Sequence, residues 1–187
     1  MRVTSFEIEG LLLLIGERHQ DQRGFLSETF RADVLAENGV HQNFVQENSS
    51  VSTARGILRG LHFQAPPRAQ GKLVRCVRGA ILDVAVDIRV GSPTYGRHIS
   101  KELSAEDSTY LWVPTGLAHG YIALTKDCEV IYKLTDYYAP ECERGLAWDD
   151  PALGIDWKVP SHDIVLSKKD SHQPRLSEIG PTFRFNE

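Results

Sequence analysis

The sequence predicts an all-β fold, an antiparallel sandwich or barrel with only a few short helices. Apolar and polar residues alternate along several short segments, which is the period of a β-strand. Turn signals such as Gly91-Ser92-Pro93 and Pro114-Thr115-Gly116 separate these segments. Many short strands at such spacing are typical of antiparallel architectures. No repeat, low-complexity tract or linker interrupts the chain, so we expect residues 1–187 to form a single domain.

The clearest alternation lies in residues 80–90, A-I-L-D-V-A-V-D-I-R-V. Apolar side chains occupy the even positions and Asp83 and Asp87 lie on the opposite face, which predicts a half-buried strand. Shorter runs predict further strands at Val45–Ser52, Gly56–Phe63, Leu73–Val77, Ile99–Leu103, Tyr110–Val113, Gly120–Leu124 and Glu129–Thr135.

Helix is scarce in the sequence. Residues Arg31–Asn38, followed by Gly39, predict one short helix that ends at a glycine. After Pro140 the chain becomes irregular, with two tryptophans and several prolines. We expect this tail to pack over the barrel in short helical turns.

Composition excludes several classes of protein. The net charge of −4 argues against a nucleic-acid partner, which normally requires a basic surface. The apolar run Leu11–Ile15 is too short to span a membrane and lacks the flanks of a signal peptide, so it predicts a buried strand in a cytoplasmic protein with no membrane partner. The three cysteines are scattered without C-x-x-C spacing, so we expect reduced thiols.

The strand that carries His62 reads R-G-I-L-R-G-L-H-F-Q and is unusually polar. Strict alternation places His62 on one face with Leu58, Gly60 and Gln64, where Gly60 would leave space beside the imidazole. Arg59 then falls on the opposite face. Both side chains reach one pocket only if Gly60 marks a bulge or twist, or if one of them approaches from a strand edge.

Tyr132 is a second polar residue within an apolar pattern. In E-V-I-Y-K-L-T it shares a face with Val130 and Leu134, which predicts that its ring points toward the core. A buried tyrosine usually packs and finds one partner for its hydroxyl. It can also donate a proton, because its reference pKa of about 10 keeps it neutral until it is needed.

The segment Pro114–Gly120, P-T-G-L-A-H-G, fits the second motif of the cupin barrels, P-x-G-x-x-H, a turn that brings a histidine to the barrel mouth. The first cupin motif normally supplies H-x-H and a glutamate, but the corresponding strand here has only His62. With His119 that makes two ligands, fewer than the three or four of a stable metal site. We therefore predict a cupin-like barrel, a double-stranded β-helix, without a metal.

Several ordered motifs together resemble the dTDP-4-dehydrorhamnose 3,5-epimerase family: R-G-x-L-R-G-L-H-F-Q, P-x-G-x-A-H-G, Y-K-x-T-D-Y-Y-x-P-E, D-P-x-L-G-I-D-W and S-x-K-D-x-x-x-P. The resemblance extends from about Asp21 to Pro174. It implies a metal-independent jelly-roll enzyme that forms a homodimer, exchanges an N-terminal segment between subunits and has no cofactor.

The resemblance also implies a reaction and a catalytic set. The family's reaction inverts carbons 3 and 5 of dTDP-4-dehydro-6-deoxy-D-glucose, both α to the keto group, and yields dTDP-4-dehydro-L-rhamnose. By resemblance His62 is the base and Asp170 the carboxylate that orients it. Tyr132 is the proton donor on the opposite face of the sugar, and Lys72 the cation near the keto oxygen.

The remaining implied positions bind the nucleotide sugar. Arg23 and Arg59 match phosphate contacts, and arginine's planar fork suits phosphate. Glu28 matches a thymidine contact supplied by the partner subunit, and Tyr138 is expected to be a platform for the thymine. Further implied substrate-contacting residues are Phe25, Gln46, Asn48, His119, Glu143 and Lys168.

Four alternatives stay open at this point. A single-position 3-epimerase keeps nearly all the same residues and differs in product stereochemistry. A 3,4-ketoisomerase on a similar barrel would lack the full Y-K-x-T-D-Y-Y framework. A metal-dependent cupin enzyme would hold near-stoichiometric metal. A non-catalytic sugar-binding cupin would have little reason to combine His62, Asp170 and Tyr132.

Overall fold

Two antiparallel sheets face each other in the computed structural model, which describes residues 1–185. Residues 186 and 187, the end of the predicted domain, lie outside the described part. The predicted all-β jelly roll is confirmed, and the chain adds one six-residue helix, α1 (Ala32–Glu37), that ends before Gly39. Gly39 has a φ of +85°, the left-handed conformation that favours glycine after a helix.

Each predicted strand is present within a few residues of its expected bounds. In chain order the strands are β1 (Arg2–Ser5), β2 (Leu12–Ile15), β3 (Arg18–Asp21), β4 (Gly24–Ser27), β5 (Gln46–Ser52), β6 (Leu58–Gln64), β7 (Lys72–Arg78), β8 (Ala80–Asp87), β9 (Arg89–Val90), β10 (His98–Ser104), β11 (Thr109–Val113), β12 (Leu117–Ala123), β13 (Cys128–Leu134), β14 (Glu143–Gly145) and β15 (Phe183–Arg184). Strands β1, β3, β4, β14 and β15 were not predicted. One sheet has the order β1-β2-β11-β7-β13-β5 and the other β10-β8-β12-β6-β14.

Apolar side chains pack in three places. Residues of both sheets, including Val74, Ala85 and Val130, form a core between them. A second core lies between the five-stranded sheet and the C-terminal tail, where Trp157 donates a hydrogen bond to the Trp148 carbonyl. A third covers the outer face of the six-stranded sheet. The tail thus packs over the barrel as predicted, through 3₁₀ turns at Pro140–Cys142, Ser161–Asp163, Asp170–His172 and Leu176–Glu178. All three cysteines are free and buried.

Strand β8 corrects one prediction, because it is buried on both faces and not on one. Its even positions pack under the tail, while Asp83 and Asp87, expected on a solvent face, are fully buried inside the barrel. Asp87 is compensated by a salt bridge to Arg89 at 2.8 Å and by hydrogen bonds from the Ser92 and Thr94 hydroxyls. Buried carboxylates require such partners.

A β-bulge in β6 settles the conflict between Arg59 and His62. In the ladder with β12, His62 pairs with His119 and Arg59 pairs with Tyr121, so two residues of β6 lie opposite Gly120 alone. The extra residue shifts the alternation by one, and Arg59 and His62 point to the same side. Leu58 points to the other side, into the core beneath the tail.

The sequence suggested that Gly60 leaves space beside the imidazole. In the structure Gly60 instead allows two strands to approach each other closely. A Cβ on Gly60 would lie 2.5 Å from the Gly120 Cα, and a Cβ on Gly120 would lie 2.7 Å from the Arg59 carbonyl oxygen. Gly60 also has a φ of +133°, which L side chains rarely adopt. The two glycines together permit the bulge.

The hairpin β3–β4 stands apart from both sheets, since its two strands pair only with each other. All but one of its strand residues are exposed, including Phe25 and Leu26. Throughout residues 1–185, no helix has the length and apolar character needed to cross a membrane.

Candidate active site

His62 and Asp170 form a pair at the edge of a central cavity between the sheets. His62 Nε2 lies 2.5 Å from Asp170 Oδ1, although the residues are 108 positions apart. A carboxylate only accepts hydrogen bonds, so Nε2 carries the proton and Nδ1 keeps a free electron pair. Burial tends to raise the pKa of Asp170, but hydrogen bonds from His62 and Ser167 outweigh it and hold the pKa below its ordinary value. The arrangement gives His62 a fixed tautomer with a basic nitrogen.

His119 and Asp83 form a second pair beside the first. His119 Nε2 lies 2.6 Å from Asp83 Oδ1, and both side chains are buried. The turn predicted to bring His119 to the barrel mouth ends at Gly116, so His119 lies inside β12, directly opposite His62. That part of the prediction is wrong because β12 begins three residues earlier than its alternation suggested.

Tyr132 lies on the opposite wall, in β13 of the six-stranded sheet. Asn48 Nδ2 donates to its hydroxyl at 3.4 Å, and Gln46 Nε2 donates to Asn48 Oδ1 at 3.0 Å. Gln46 also accepts a hydrogen bond from the backbone N–H of Tyr138. These bonds position the phenol of Tyr132 and tie it to the segment that carries Tyr138.

Lys72 reaches from β7 toward the histidine wall, where its Nζ donates to the His62 carbonyl at 3.1 Å. Desolvation lowers the pKa of Lys72 to about 8, while the carboxylates of Asp83 and Glu143 act in the opposite direction. An ammonium group that is mostly protonated at neutral pH is therefore held close to His62 and Tyr132.

Glu143 organises one rim of the cavity. It accepts a hydrogen bond from the Tyr138 hydroxyl at 2.8 Å and forms a salt bridge with Lys169. Burial tends to raise the pKa of Glu143, but the Lys169 and Tyr138 bonds outweigh it and the pKa lies below its usual value. The carboxylate stays charged at neutral pH and fixes the aromatic ring of Tyr138.

The cavity has two lobes that share His62, Lys72 and Tyr132 as lining residues. The amide lobe, about 440 Å³, is also lined by Gln46, Asn48, Gln64, Gln70, Tyr138 and Glu143. The dyad lobe, about 270 Å³, is also lined by Ser50, Arg59, His119, Tyr121, Ser167, Lys169 and Asp170. Ten of the residues singled out from the sequence thus meet here: His62, Lys72, Tyr132, Asp170, Gln46, Asn48, Arg59, His119, Tyr138 and Glu143.

The other four do not line this cavity. Arg23 and Phe25 lie in the β3–β4 hairpin and Glu28 directly follows it, all exposed. The Arg23 side chain pairs with Asp21 of its own hairpin. Lys168 is also exposed outside the cavity, and the neighbouring Lys169 lines it instead.

A metal site is not supported by the geometry. Among the described residues, no three His, Cys, Asp or Glu side chains are arranged to hold a metal ion. His62 and His119 each use Nε2 to bind a carboxylate. This is the geometry of two hydrogen-bonded pairs and does not fit a shared metal centre.

Known proteins resemble this chain over its whole length. The family model described as dTDP-4-dehydrorhamnose 3,5-epimerase matches residues 5–178. A dTDP-4-dehydrorhamnose 3,5-epimerase of Sinorhizobium fredii is 50% identical over 186 residues, 99% of this chain and 94% of that protein. The chain belongs to the dTDP-4-dehydrorhamnose 3,5-epimerase family.

Two solved structures show the range of this epimerase family. A Legionella pneumophila dTDP-6-deoxy-D-glucose-3,5-epimerase in complex with dTDP-4-keto-L-rhamnose is 39% identical, with a TM-score of 0.94 over 100% of this chain and 99% of that one. A 3′-monoepimerase from Streptomyces bikiniensis in complex with dTDP-quinovose is 36% identical, with a TM-score of 0.85 over 96% and 91%. The family fold therefore accommodates both double and single epimerases.

Sequence reasoning missed several polar residues of this epimerase-family cavity. Asp83 supports His119 from outside it, and the residues that line it are Ser50, Gln64, Gln70, Tyr121, Ser167 and Lys169. The alternation of β8 predicts a solvent-facing position for Asp83. Its signal was an acidic residue within the most apolar strand of the chain, which marks a buried carboxylate when both faces of the strand are covered. Lys169 was passed over for the adjacent lysine.

Proposed function

We propose that this family member is a metal-independent isomerase that converts dTDP-4-dehydro-6-deoxy-D-glucose into dTDP-4-dehydro-L-rhamnose, a step of dTDP-rhamnose biosynthesis. The observation that carries the proposal is the placement of the His62–Asp170 pair and Tyr132 on opposite walls of one cavity. Epimerisation beside a ketone requires a base on one face of the ring and an acid on the other. The cavity offers one of each.

One base can serve both carbons. In the chair form of the substrate, the hydrogens on C3 and C5 are both axial and lie on the same face of the ring. His62 Nδ1 takes such a proton and leaves an enolate, and the Tyr132 hydroxyl returns a proton to the opposite face. Both groups then exchange protons with water and are ready for the second carbon.

Lys72 is assigned to the enolate oxygen. Negative charge moves onto the keto oxygen at C4 in each step, and a fixed cation beside it lowers the barrier. The Lys72 ammonium is held near both His62 and Tyr132, so it can contact a ring bound between them. Arg59, at the exposed edge of the same cavity, is placed to bind a phosphate.

The direct test is incubation of the substrate with the enzyme in D₂O. Proton exchange by His62 and Tyr132 predicts deuterium at both C3 and C5 of the product, detected by NMR. Absence of deuterium at both carbons would reject the epimerase assignment.

A 3-epimerase is the second candidate, supported by the 36% identity to the Streptomyces bikiniensis 3′-monoepimerase. The same base, acid and cation would operate at one carbon only. Deuterium at C3 alone, with the configuration at C5 retained, would favour this activity over double inversion.

We also propose that the enzyme is a homodimer in which the β3–β4 hairpin completes the partner's cavity. The hairpin is exposed, makes no ladder with either sheet, and carries Arg23, Phe25 and nearby Glu28, all outside the cavity of their own chain. Exposed apolar side chains at the tip of such an extension indicate a contact surface. A substrate with a charged diphosphate does not cross membranes unaided, so we expect the dimer to work in the cytoplasm.

Mixing two inactive variants tests the exchange. One carries His62→Asn with an intact hairpin, and the other carries intact His62 with Arg23→Ala and Phe25→Ala. If the hairpin acts in the partner's cavity, each mixed dimer has one fully native site and activity returns after subunit exchange. If the hairpin acts within its own chain, no site is native and the mixture stays inactive.

A further inference from the structure

The Tyr121 hydroxyl is a buried polar group that forms no hydrogen bond of normal geometry with the described residues. Tyr121 is 4% exposed, and its OH is one of only a few buried side-chain atoms in residues 1–185 without a hydrogen bond. Ser50 lies beside it but does not form a bond of normal geometry. Native buried hydroxyls nearly always have a partner, so an unpaired one in a cavity indicates a group that a ligand satisfies.

Tyr121 lies on the same wall as the base. It follows His119 by two residues in β12, and through the bulge it pairs with Arg59 of β6, the strand that carries His62. All of these side chains line the dyad lobe. Tyr132, the proposed acid, lies on the opposite wall in β13. The Tyr121 ring therefore extends from the same wall as His62, and its hydroxyl lies beside Ser50 of β5.

Inversion itself creates a polar group on that side. When a proton leaves C3 toward His62 and another arrives from Tyr132, the C3 hydroxyl moves toward the His62 wall. The same change at C5 moves a methyl group, which needs no hydrogen bond. The His62 wall therefore needs a hydrogen-bond partner for the C3 hydroxyl and none for the C5 methyl group.

The strand neighbours of Tyr121 on this wall already bind other groups through part of their polar atoms. His119 uses Nε2 to bind Asp83, and Arg59 Nη2 donates to the Val51 carbonyl at the cavity edge. Asp83 has one unpaired carboxylate oxygen, but Asp83 does not line the cavity. Burial raises the pKa of Tyr121 to about 12, so its hydroxyl remains a proton-bearing donor at neutral pH.

We propose that Tyr121 is a specificity-determining residue that hydrogen-bonds the C3 hydroxyl of the sugar in its inverted configuration. The inference rests on the proposed function, because the direction in which this hydroxyl moves follows from base and acid on opposite walls. Tyr121 stabilises the C3-inverted sugar and makes no selective contact with the uninverted one. Tyr121 thus favours the inverted configuration at C3. The configuration at C5 depends on how the methyl group packs.

Two ligands that differ only at C3 test the proposal without turnover: dTDP-6-deoxy-D-allose, which has the inverted hydroxyl, and dTDP-6-deoxy-D-glucose. Tyr121→Phe removes the hydroxyl and keeps the ring. Calorimetry should show about tenfold weaker binding of the allose ligand, the value of one hydrogen bond, and less than about twofold change for the glucose ligand. Equal changes for both ligands, or none, would overturn the assignment.

Two controls separate this role from a structural one. Because the lost hydroxyl forms no hydrogen bond of normal geometry in the described protein, unliganded Tyr121→Phe should melt at the same temperature as wild type or higher. A lower melting temperature would indicate a structural bond with Ser50 instead. Tyr95→Phe, a change at an exposed tyrosine outside the cavity, should alter neither ligand's affinity. If wild-type protein bound neither sugar nucleotide and exchanged no deuterium, the proposed function itself would fail.

Discussion

The two histidine–carboxylate pairs look alike in chemistry and differ in construction. His62 is 28% exposed and receives Asp170 from a 3₁₀ turn of the C-terminal tail, whereas His119 is 6% exposed and receives Asp83 from the adjacent strand. The first pair joins a strand to the C-terminal tail and lines the cavity. The second pair joins two neighbouring strands of one sheet. From this difference we expect the first pair to move protons and the second to shape the cavity wall.

The largest difference in kcat between the two pairs should come from replacement of their histidines. His62→Asn removes the basic nitrogen, and we expect kcat to fall by about 10²–10⁴ or more, the usual value of a general base. Binding of dTDP measured by calorimetry should change little. His119→Asn should retain measurable turnover, and a loss as large as that of His62→Asn would contradict the division of roles.

Lys72→Met should be the next largest effect. Loss of one donor to a developing oxyanion typically lowers kcat by about 10²–10³. In wild-type enzyme kcat should decline as the pH rises through about 8, where Lys72 loses its proton. A pH profile of the residual Lys72→Met activity should lack this limb, and its persistence would assign the limb to another group.

The carboxylates provide a finer comparison. Asp170→Asn replaces a carboxylate by an amide that can also donate, so the tautomer of His62 is no longer fixed and kcat should fall, by up to about 10⁴ if the wrong tautomer dominates. Asp83→Asn should lower kcat by less than about tenfold but move the alkaline limb to lower pH, since the Asp83 carboxylate helps to keep Lys72 protonated. An unmoved limb in Asp83→Asn would contradict this link.

For the free energy of unfolding, we expect the opposite order: Asp83→Asn should have a larger effect than Asp170→Asn. Asp83 is fully buried with His119, so Asp83→Asn should cost about 1–3 kcal/mol of unfolding free energy in urea titrations at pH 7. Asp170 should contribute less to the free energy of unfolding, and its contribution should depend on pH. Its pKa is lower folded than unfolded, so its contribution is present above pH about 4 and is lost as the pH falls through the folded value. The wild-type advantage over Asp170→Asn should therefore shrink in acid.

Much of the barrel was predictable because period-two alternation is a local property. The strands, the inward face of Tyr132 and the packed tail all follow from neighbouring residues. The position of Arg59 relative to His62 could not be predicted in this way. Alternation assumes a regular strand, and a bulge interrupts the alternation between these two residues.

The rest of the site depends on what covers each surface. Asp83 looks like a solvent-facing residue until a second sheet is placed over it. Lys168 and Lys169 are equivalent in sequence, and only the turn that begins at Asp170 decides which of them reaches Glu143. The role proposed for the hairpin residues Arg23 and Phe25 involves another subunit, and a single chain cannot reveal it.

The bulge at Gly60 has a consequence for protein engineering. Two glycines on neighbouring strands, Gly60 and Gly120, hold the backbones close enough for one extra residue to fit. A designer who grafts the R-G-L-H strand onto another jelly roll without the second glycine would obtain an unbulged strand, with Arg59 on the outside and the base alone within. The transferable unit is therefore a pair of strands and not a motif.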